Sequence, residues 1–295
     1  MATILSGTEL AQKIRNEMKE ELAELKKKHN LVPSLAVILV GDDPGSISYV
    51  KGKEKACAEV GIDARKYKFD ADYPEGDLHK LISDLNNDPE VNGILVQLPL
   101  PSHINEEKIL YAIDPEKDVD GFHPINVGRL MIGAPGYVPG TPHGIQQMLV
   151  RNGIDIAGKH VVIVGRSNIV GKPLALLLIQ KKKDANATVT ICHTGTKNMG
   201  DITRLADILV VAAGRPHTVN ADMVRTGAVV IDVGVNRIED ATKKSGYRLI
   251  GDVDFEEVSA RASAISPVPG GVGPMTITML LHNVITAAKR QAGID

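Results

Sequence analysis

The chain has 295 residues, enough for about two domains with separate cores. Its residues are 43% hydrophobic and 24% charged, the balance of a globular protein that buries a core. A formal net charge of −2 leaves no basic excess, which argues against nucleic acid or an anionic membrane surface as the main partner.

Ser6-Gly-Thr-Glu9 has the form of a capping box, and behind it Leu10, Ile14, Met18, Leu22 and Leu25 mark one helix face. Lys26–Lys28 closes that helix, where cations suit the dipole. Leu35–Val40 reads as a strand, and the loop Gly41–Gly45 leads into a helix over about Ser46–Val60 with Gly61 as its C′ residue. A strand near Ala64–Phe69 follows, then a helix with Leu78, Leu81, Ile82 and Leu85 inward, a strand over Gly93–Leu98 and a short helix over Glu106–Ile113. Asp114–Pro142, rich in Pro, Gly and Asp, reads as loops around a domain boundary. Thr141–Asn152 predicts a helix, with strands expected at 161–164, 187–192, 208–212 and 228–233. A helix near Ile169–Ile179 is expected to end at Lys181–Lys183. Ile265–Pro274 reads as a second linker, after which Met275, Leu280, Leu281, Val284, Ile285 and Ala288 line a long amphipathic helix.

Strands alternating with helices predict an α/β fold with parallel sheets. The expected division is an N-terminal α/β substrate domain, 1–140 plus 273–295, and a Rossmann-like dinucleotide-binding domain, 141–272. The C-terminal helix is expected to pack back on the first domain. No apolar run approaches the ~20 residues of a membrane span, and MATILSGTEL has no signal-peptide pattern. Cys57 and Cys192 lie far apart, so no disulfide framework is expected and the cytoplasm is the default location. The nine histidines are scattered, and no Cys/His/Asp cluster argues for a metal site.

The segment VVIVGRSNIVGKP, Val161–Pro173, carries the strongest signal. A buried strand, a turn at Gly165 and a following helix make a device for holding a pyrophosphate on backbone N–H groups at a helix N-terminus. The pattern G-x-S-x-x-x-G-x-P departs from the standard dinucleotide fingerprint, with Ser167 where a second glycine would sit. Arg166 lies in the turn and Ile169 just beyond it. The second strand ends Ile191-Cys192-His193-Thr194 without the acid that binds the ribose hydroxyls of NAD. Arg166 and the nearby Lys197 suit a 2′-phosphate instead, which favours NADP, with NAD still possible. Ala213-Gly214 and Val233-Gly234 follow apolar strands, where small residues let a flat ligand lie near the backbone; alone, either could be a tight turn.

In the first half, Tyr49 and Lys53 are four apart on a predicted helix and share a face. The same pair occurs in short-chain dehydrogenases, but there it follows the glycine-rich turn, and here it precedes it. Gln97 is a polar residue at the end of an apolar strand, and Asp118 and Asp120 stand in one loop. All lie where open α/β sheets bind ligands, at strand ends or in adjoining loops.

Taken together, SYVKGKEKACAEVGI, GILVQLPLP, PEKDVDGFHPINVGRL, GRSNIVGKPLALLL, ADILVVAAGRP, VIDVGVN, GDVDF and PVPGGVGPMTITMLLHN resemble the tetrahydrofolate dehydrogenase/cyclohydrolase family, in order and over nearly the whole chain. The resemblance implies oxidation of 5,10-methylenetetrahydrofolate by NADP⁺ and hydrolysis of the methenyl product to 10-formyltetrahydrofolate. It implies that Lys53 is the catalytic lysine, Tyr49 the ring stacking on the folate, Gln97 the amide that tunes the lysine, and Asp120 the pterin's partner, with Ser46 in support. Gly270, Gly271, Pro274 and Thr276 match the loop lining the folate and nicotinamide region. Gly165, Arg166, Ser167, Ile169, His193, Thr194, Ala213, Gly214, Val233 and Gly234 match the cofactor side, and a homodimer through the cofactor domain is implied. Many members carry Ser and then Lys or Arg after Cys-His, where this chain has Thr194-Gly195, so one cation is missing. Two other readings compete: a shikimate-type NADP-linked dehydrogenase, which leaves Tyr49, Lys53, Gln97 and Asp120 as coincidence, and a dinucleotide sensor without turnover, which makes no use of Lys53.

Overall fold

A computed structural model describes residues 2–243 and 246–294. By internal contacts the chain forms two compact units, Met1–Ala11 with Thr141–Thr276, and Gln12–Gly140 with Ile277–Asp295. The first eleven residues therefore group with the second half of the sequence, because the strand β1 (Thr3–Ile4) pairs there.

α1 (Gly7–His29) starts as its sequence predicts, with the Glu9 amide donating to the Ser6 hydroxyl at 3.3 Å. β2 (Ser34–Val40) is buried along its whole length, as a central parallel strand covered on both faces should be. α2 (Pro44–Val60) begins earlier than expected because Asp43 caps it: its carboxylate accepts from the Ser46 amide at 2.7 Å, and Pro44 fits the first turn. Gly61, left-handed at φ 97°, ends the helix and donates to the Cys57 carbonyl. β3 (Asp63–Phe69), α3 (Glu75–Asn87) and β4 (Gly93–Val96) complete a three-stranded parallel sheet of order β3-β2-β4. β4 stops at Val96, short of the expected Leu98, since Pro99 has no N–H to continue the ladder. Ala36, Ile38 and Val40 pack with Leu78, Ile82 and Leu85 and with Ile94 and Val96 to form this unit's core.

α4 (Glu106–Ala112) is followed by a correction to the sequence reading. The segment expected to be loop contains α5 (Pro124–Ile132), started by a His123 ring nitrogen that accepts from the Ile125 amide and ended by left-handed Gly133. Pro and Gly there mark the two ends of a short helix rather than its absence. α6 (Gly140–Arg151) leads into the second unit.

That unit contains β5 (His160–Val164), α7 (Gly171–Leu178), β6 (Thr188–Cys192), α8 (Met199–Thr203), β7 (Ile208–Val211) and β8 (Val229–Asp232). The antiparallel hairpin β9 (Asn236–Glu239) and β10 (Tyr247–Ile250), then α9 (Phe255–Ser259) and β11 (Ala264–Ile265), follow. α7 ends at Leu178, so Lys181–Lys183 lie beyond the helix rather than in its last turn. The six-stranded sheet is parallel, in the order β1-β11-β8-β7-β5-β6. The chain steps from β5 outward to β6 and then back across to β7, which makes the carboxyl ends of β5 and β7 a topological switch point. α10 (Val272–Gln291) starts inside the expected linker, which shortens that linker to the residues after Ile265. From Ile277 onward it belongs to the unit that contains β2.

Candidate active site

α2 presents Tyr49, Lys53 and Cys57 at successive i, i+4 positions. Tyr49 is 48% exposed and Cys57 is fully buried, so Lys53, half-buried, lies between solvent and core. The Gln97 amide nitrogen donates to the Leu98 carbonyl at 2.7 Å, which aims the amide oxygen at Lys53; the Lys53 ammonium donates to it at 3.0 Å. The buried Ser46 hydroxyl reaches the same Leu98 carbonyl at 3.5 Å. Burial holds Lys53 below the ordinary lysine range, while the negative charge of Asp120 pulls it the other way. Burial raises Asp120 above the usual carboxylate range, against the pull of Lys53. Both groups are thus pushed toward their neutral forms. A neutral partner such as Gln97 leaves that balance open, where a carboxylate would pin the ammonium. The Cys57 thiol is pushed up to about 12, chiefly by burial, and is therefore protonated beneath the lysine.

Asp120 stands in a loop fixed from several sides. Asp118, 2% exposed, accepts from the Phe122 amide at 3.3 Å, the His123 amide at 2.9 Å and the Asn126 amide nitrogen at 2.8 Å. Burial pushes the Asp118 carboxyl up to about 7, with these donors opposing the rise. Lys117 donates to the Leu85 and Asp88 carbonyls at 2.9 and 2.7 Å. Asn283 of α10 donates to the carbonyls of Val119 and Val138, both at 2.8 Å. Sequence reasoning noted Asp118 without a role and missed Lys117 and Asn283. Their signal is only a polar residue in an apolar neighbourhood, and the partners are backbone carbonyls far away in sequence.

In the other unit a cavity of about 390 Å³ opens at the switch point. Gly165, Arg166 and Ser167 line it from the β5 turn, His193, Thr194 and Thr196 from the end of β6, and Ala212, Ala213 and Arg215 from the end of β7. Gly165 has φ 131°, and a Cβ there would sit 2.2 Å from the Ala212 carbonyl oxygen, so no other residue fits the turn. Ser167 accepts from the Val170 amide at 3.1 Å on its hydroxyl and from the Lys172 amide at 3.1 Å on its carbonyl, so the turn itself holds the start of α7, which has no side-chain cap. The His193 amide donates to the Thr196 hydroxyl at 2.9 Å, and a His193 ring nitrogen accepts from the Gly195 amide, closing the turn after β6. Arg166 and Arg215 are exposed, and among the described residues neither pairs with a carboxylate. Two free guanidiniums and no acid fit the phosphates of NADP. Arg215 is a cation the sequence reading passed over inside its Ala-Gly-Arg-Pro turn.

Not every expected cofactor residue meets this cavity. Ile169 is 48% exposed and, like Val233 and Gly234, does not line it. Gly214 adjoins the lining residue Ala213. Gly270, Gly271, Pro274 and Thr276 belong to the cofactor unit by contacts, with the Gly270 carbonyl accepting from the Thr8 amide at 2.9 Å and the Thr276 hydroxyl 2.9 Å from that of Thr141.

A switch-point pocket fitted to a dinucleotide and a separate lysine–glutamine–aspartate site define a two-unit, dinucleotide-dependent enzyme. The sequence model described as tetrahydrofolate dehydrogenase/cyclohydrolase, catalytic domain, matches residues 5–120, and that of the family's NAD(P)-binding domain matches residues 139–292. The chain belongs to the tetrahydrofolate dehydrogenase/cyclohydrolase family. It is 57% identical over 293 residues to the bifunctional protein FolD of Dehalococcoides mccartyi, covering 99% of each chain. It is 58% identical over 291 residues to that of Geobacillus thermodenitrificans, again covering 99% of each. Among solved structures it resembles the bifunctional FolD enzyme of Campylobacter jejuni, at 50% identity and TM-score 0.92 over 98% of this chain and 99% of that one. It also resembles the Trypanosoma brucei dehydrogenase-cyclohydrolase, complexed with NADP cofactor and inhibitor, at 40% identity and TM-score 0.92 over 98% of both chains.

Proposed function

We propose that this protein oxidises 5,10-methylenetetrahydrofolate to the methenyl compound with NADP⁺ and hydrolyses that product to 10-formyltetrahydrofolate. The observation that carries the reading is the half-buried Lys53 held at 3.0 Å by a neutral amide and faced by Asp120. Bound NADP⁺ supplies the hydride acceptor. The turn of Gly165 and Ser167 would hold its pyrophosphate, and Arg166 and Arg215 its remaining phosphate. The protein needs no strong base for the oxidation, because the folate nitrogens stabilise the developing cation. Its work there is orientation: Tyr49 stacks on the folate, and Asp120 accepts from the pterin's nitrogen donors.

Hydrolysis adds water to the cationic methenyl carbon and releases one proton. Burial lowers the proton affinity of Lys53 and the substrate's positive charge lowers it further, so Lys53 is the group that takes that proton, at Nζ. Gln97 fixes the amine's direction without fixing its charge. The sheet and pocket would also suit a sensor, but a sensor makes no use of Lys53 held by Gln97. We further propose that the enzyme works in the cytoplasm, the default for a chain with two separated cysteines, and as a homodimer joined through the cofactor unit, as the family resemblance implies. The test mixes purified protein with methylenetetrahydrofolate and either NADP⁺ or NAD⁺ and follows the absorption spectrum. Reduced cofactor should appear together with a transient methenyl band, faster with NADP⁺. A spectrum that stays unchanged with both cofactors overturns the reading.

A further inference from the structure

Two sequence motifs have no task in the mechanism above: Asp232-Val233-Gly234-Val235-Asn236 and Gly251-Asp252-Val253-Asp254-Phe255. The structure brings their acids together. Asp252 is fully buried and Asp232 is 2% exposed. One Asp252 oxygen accepts from the amides of Ala213 at 2.7 Å and Gly214 at 2.8 Å; the other accepts from the Asn236 side-chain amide at 2.8 Å. Asp232 in turn accepts from the amides of Gly234, Asp252 and Val253, all at 3.0 Å. The Asp232 amide donates to the buried Ser266 hydroxyl at 2.8 Å. The approach is so close that a Cβ at Gly251 would lie 1.7 Å from an Asp232 carboxylate oxygen. Two carboxylates thus satisfy five backbone amides and tie the loops after β7 and β8 to the segment before the Pro267–Gly271 turn.

Core hydrophobes could have filled this space at less desolvation cost, since an acid is worth burying only where it must receive several N–H groups at once. Ala213 lines the dinucleotide pocket, and its N–H is drawn away from that pocket into the carboxylate. We propose that Asp252 is a positioning residue for the dinucleotide. From behind the pocket wall it fixes the Ala213–Gly214 backbone, and with it the direction in which Arg215 leaves the turn. The inference rests on the dinucleotide-dependent reading above.

The test exploits the one-sided chemistry of Asn236. In Asp252→Asn the side-chain oxygen can still accept the two backbone amides, but its NH₂ group then faces the NH₂ of Asn236, donor against donor. Adding Asn236→Asp gives that NH₂ an acceptor and restores the pairing with the charge moved across the bond. NADP⁺ and tetrahydrofolate are titrated separately by calorimetry into wild type, D252N and D252N/N236D. We expect D252N to weaken NADP⁺ binding about tenfold, the loss of one buried charged hydrogen bond. Tetrahydrofolate affinity should hold, and the double variant should recover most of the NADP⁺ affinity. Equal NADP⁺ affinity in D252N and wild type overturns the inference. So does parallel loss of both ligands, or a double variant no better than the single, since either marks a purely structural acid. A wild type that binds tetrahydrofolate but no NADP⁺ overturns the functional reading itself and this inference with it.

Discussion

At the scale of single residues, the chemistry lies in how burial sets charge around Lys53. The charge of Asp120 is the largest influence raising the lysine's proton affinity, against the burial that lowers it. Two consequences follow for Asp120→Ala. The pterin loses a charged acceptor, which costs about 1.5–3 kcal/mol and should weaken folate binding in a direct titration. With the negative charge gone, Lys53 falls further, so the alkaline-rising limb of the hydrolysis rate should move to lower pH. A pH profile that stays in place, with folate affinity unchanged, contradicts both roles. These residues were legible in the sequence because a polar residue inside an apolar strand and a Tyr–Lys pair on one helix face are anomalies that demand a partner. The partners themselves were not legible. Nothing local tells that Gln97 turns its oxygen to Lys53 because its nitrogen is occupied by Leu98.

At the scale of elements, β2 could be read from its unbroken apolar run and the end of α2 from Gly61, but the start of α2 could not, since its cap Asp43 stands among residues that look like a loop. α5 could not, because a helix only nine residues long between Pro124 and Gly133 looks like punctuation in a loop. The two-residue strands β1 and β11 exist only through pairing with each other and, for β11, with β8, and carry no periodicity to detect. The loop carrying Asp120 is shaped by α10 through Asn283, whose amide nitrogen serves two carbonyls. Asn283→Ala leaves those carbonyls unpaired in a buried setting, at about 1–3 kcal/mol for each group. A lower melting temperature is expected, with a raised KM for the folate and an unchanged Kd for NADP⁺. An unaltered melting temperature and folate KM would show that α10 does not support the loop.

At the scale of the whole molecule, each unit carries its own chemistry. The cofactor unit follows the switch-point rule, and its pocket is lined by two arginines, neither paired with a carboxylate among the described residues, where the sequence reading counted one. Where the family resemblance implies a cation after Cys-His this chain has Thr194-Gly195, and Arg215, from the end of β7 on the other side of β5, lines the same pocket. Arg166→Ala and Arg215→Ala should each raise the KM for NADP⁺ far more than that for NAD⁺, because only NADP⁺ has the third phosphate. Equal losses with both cofactors in steady-state kinetics would place the arginines on the pyrophosphate or in the loop. The central claim concerns the other unit, that Lys53 moves the proton in hydrolysis. Its most direct test supplies methenyltetrahydrofolate to wild type and Lys53→Met without any dinucleotide and follows decay of the methenyl band. Removing a general base of this kind should cost at least about a hundredfold, leaving the band to decay at close to the rate without enzyme. Decay in Lys53→Met as fast as in the wild type would contradict the account.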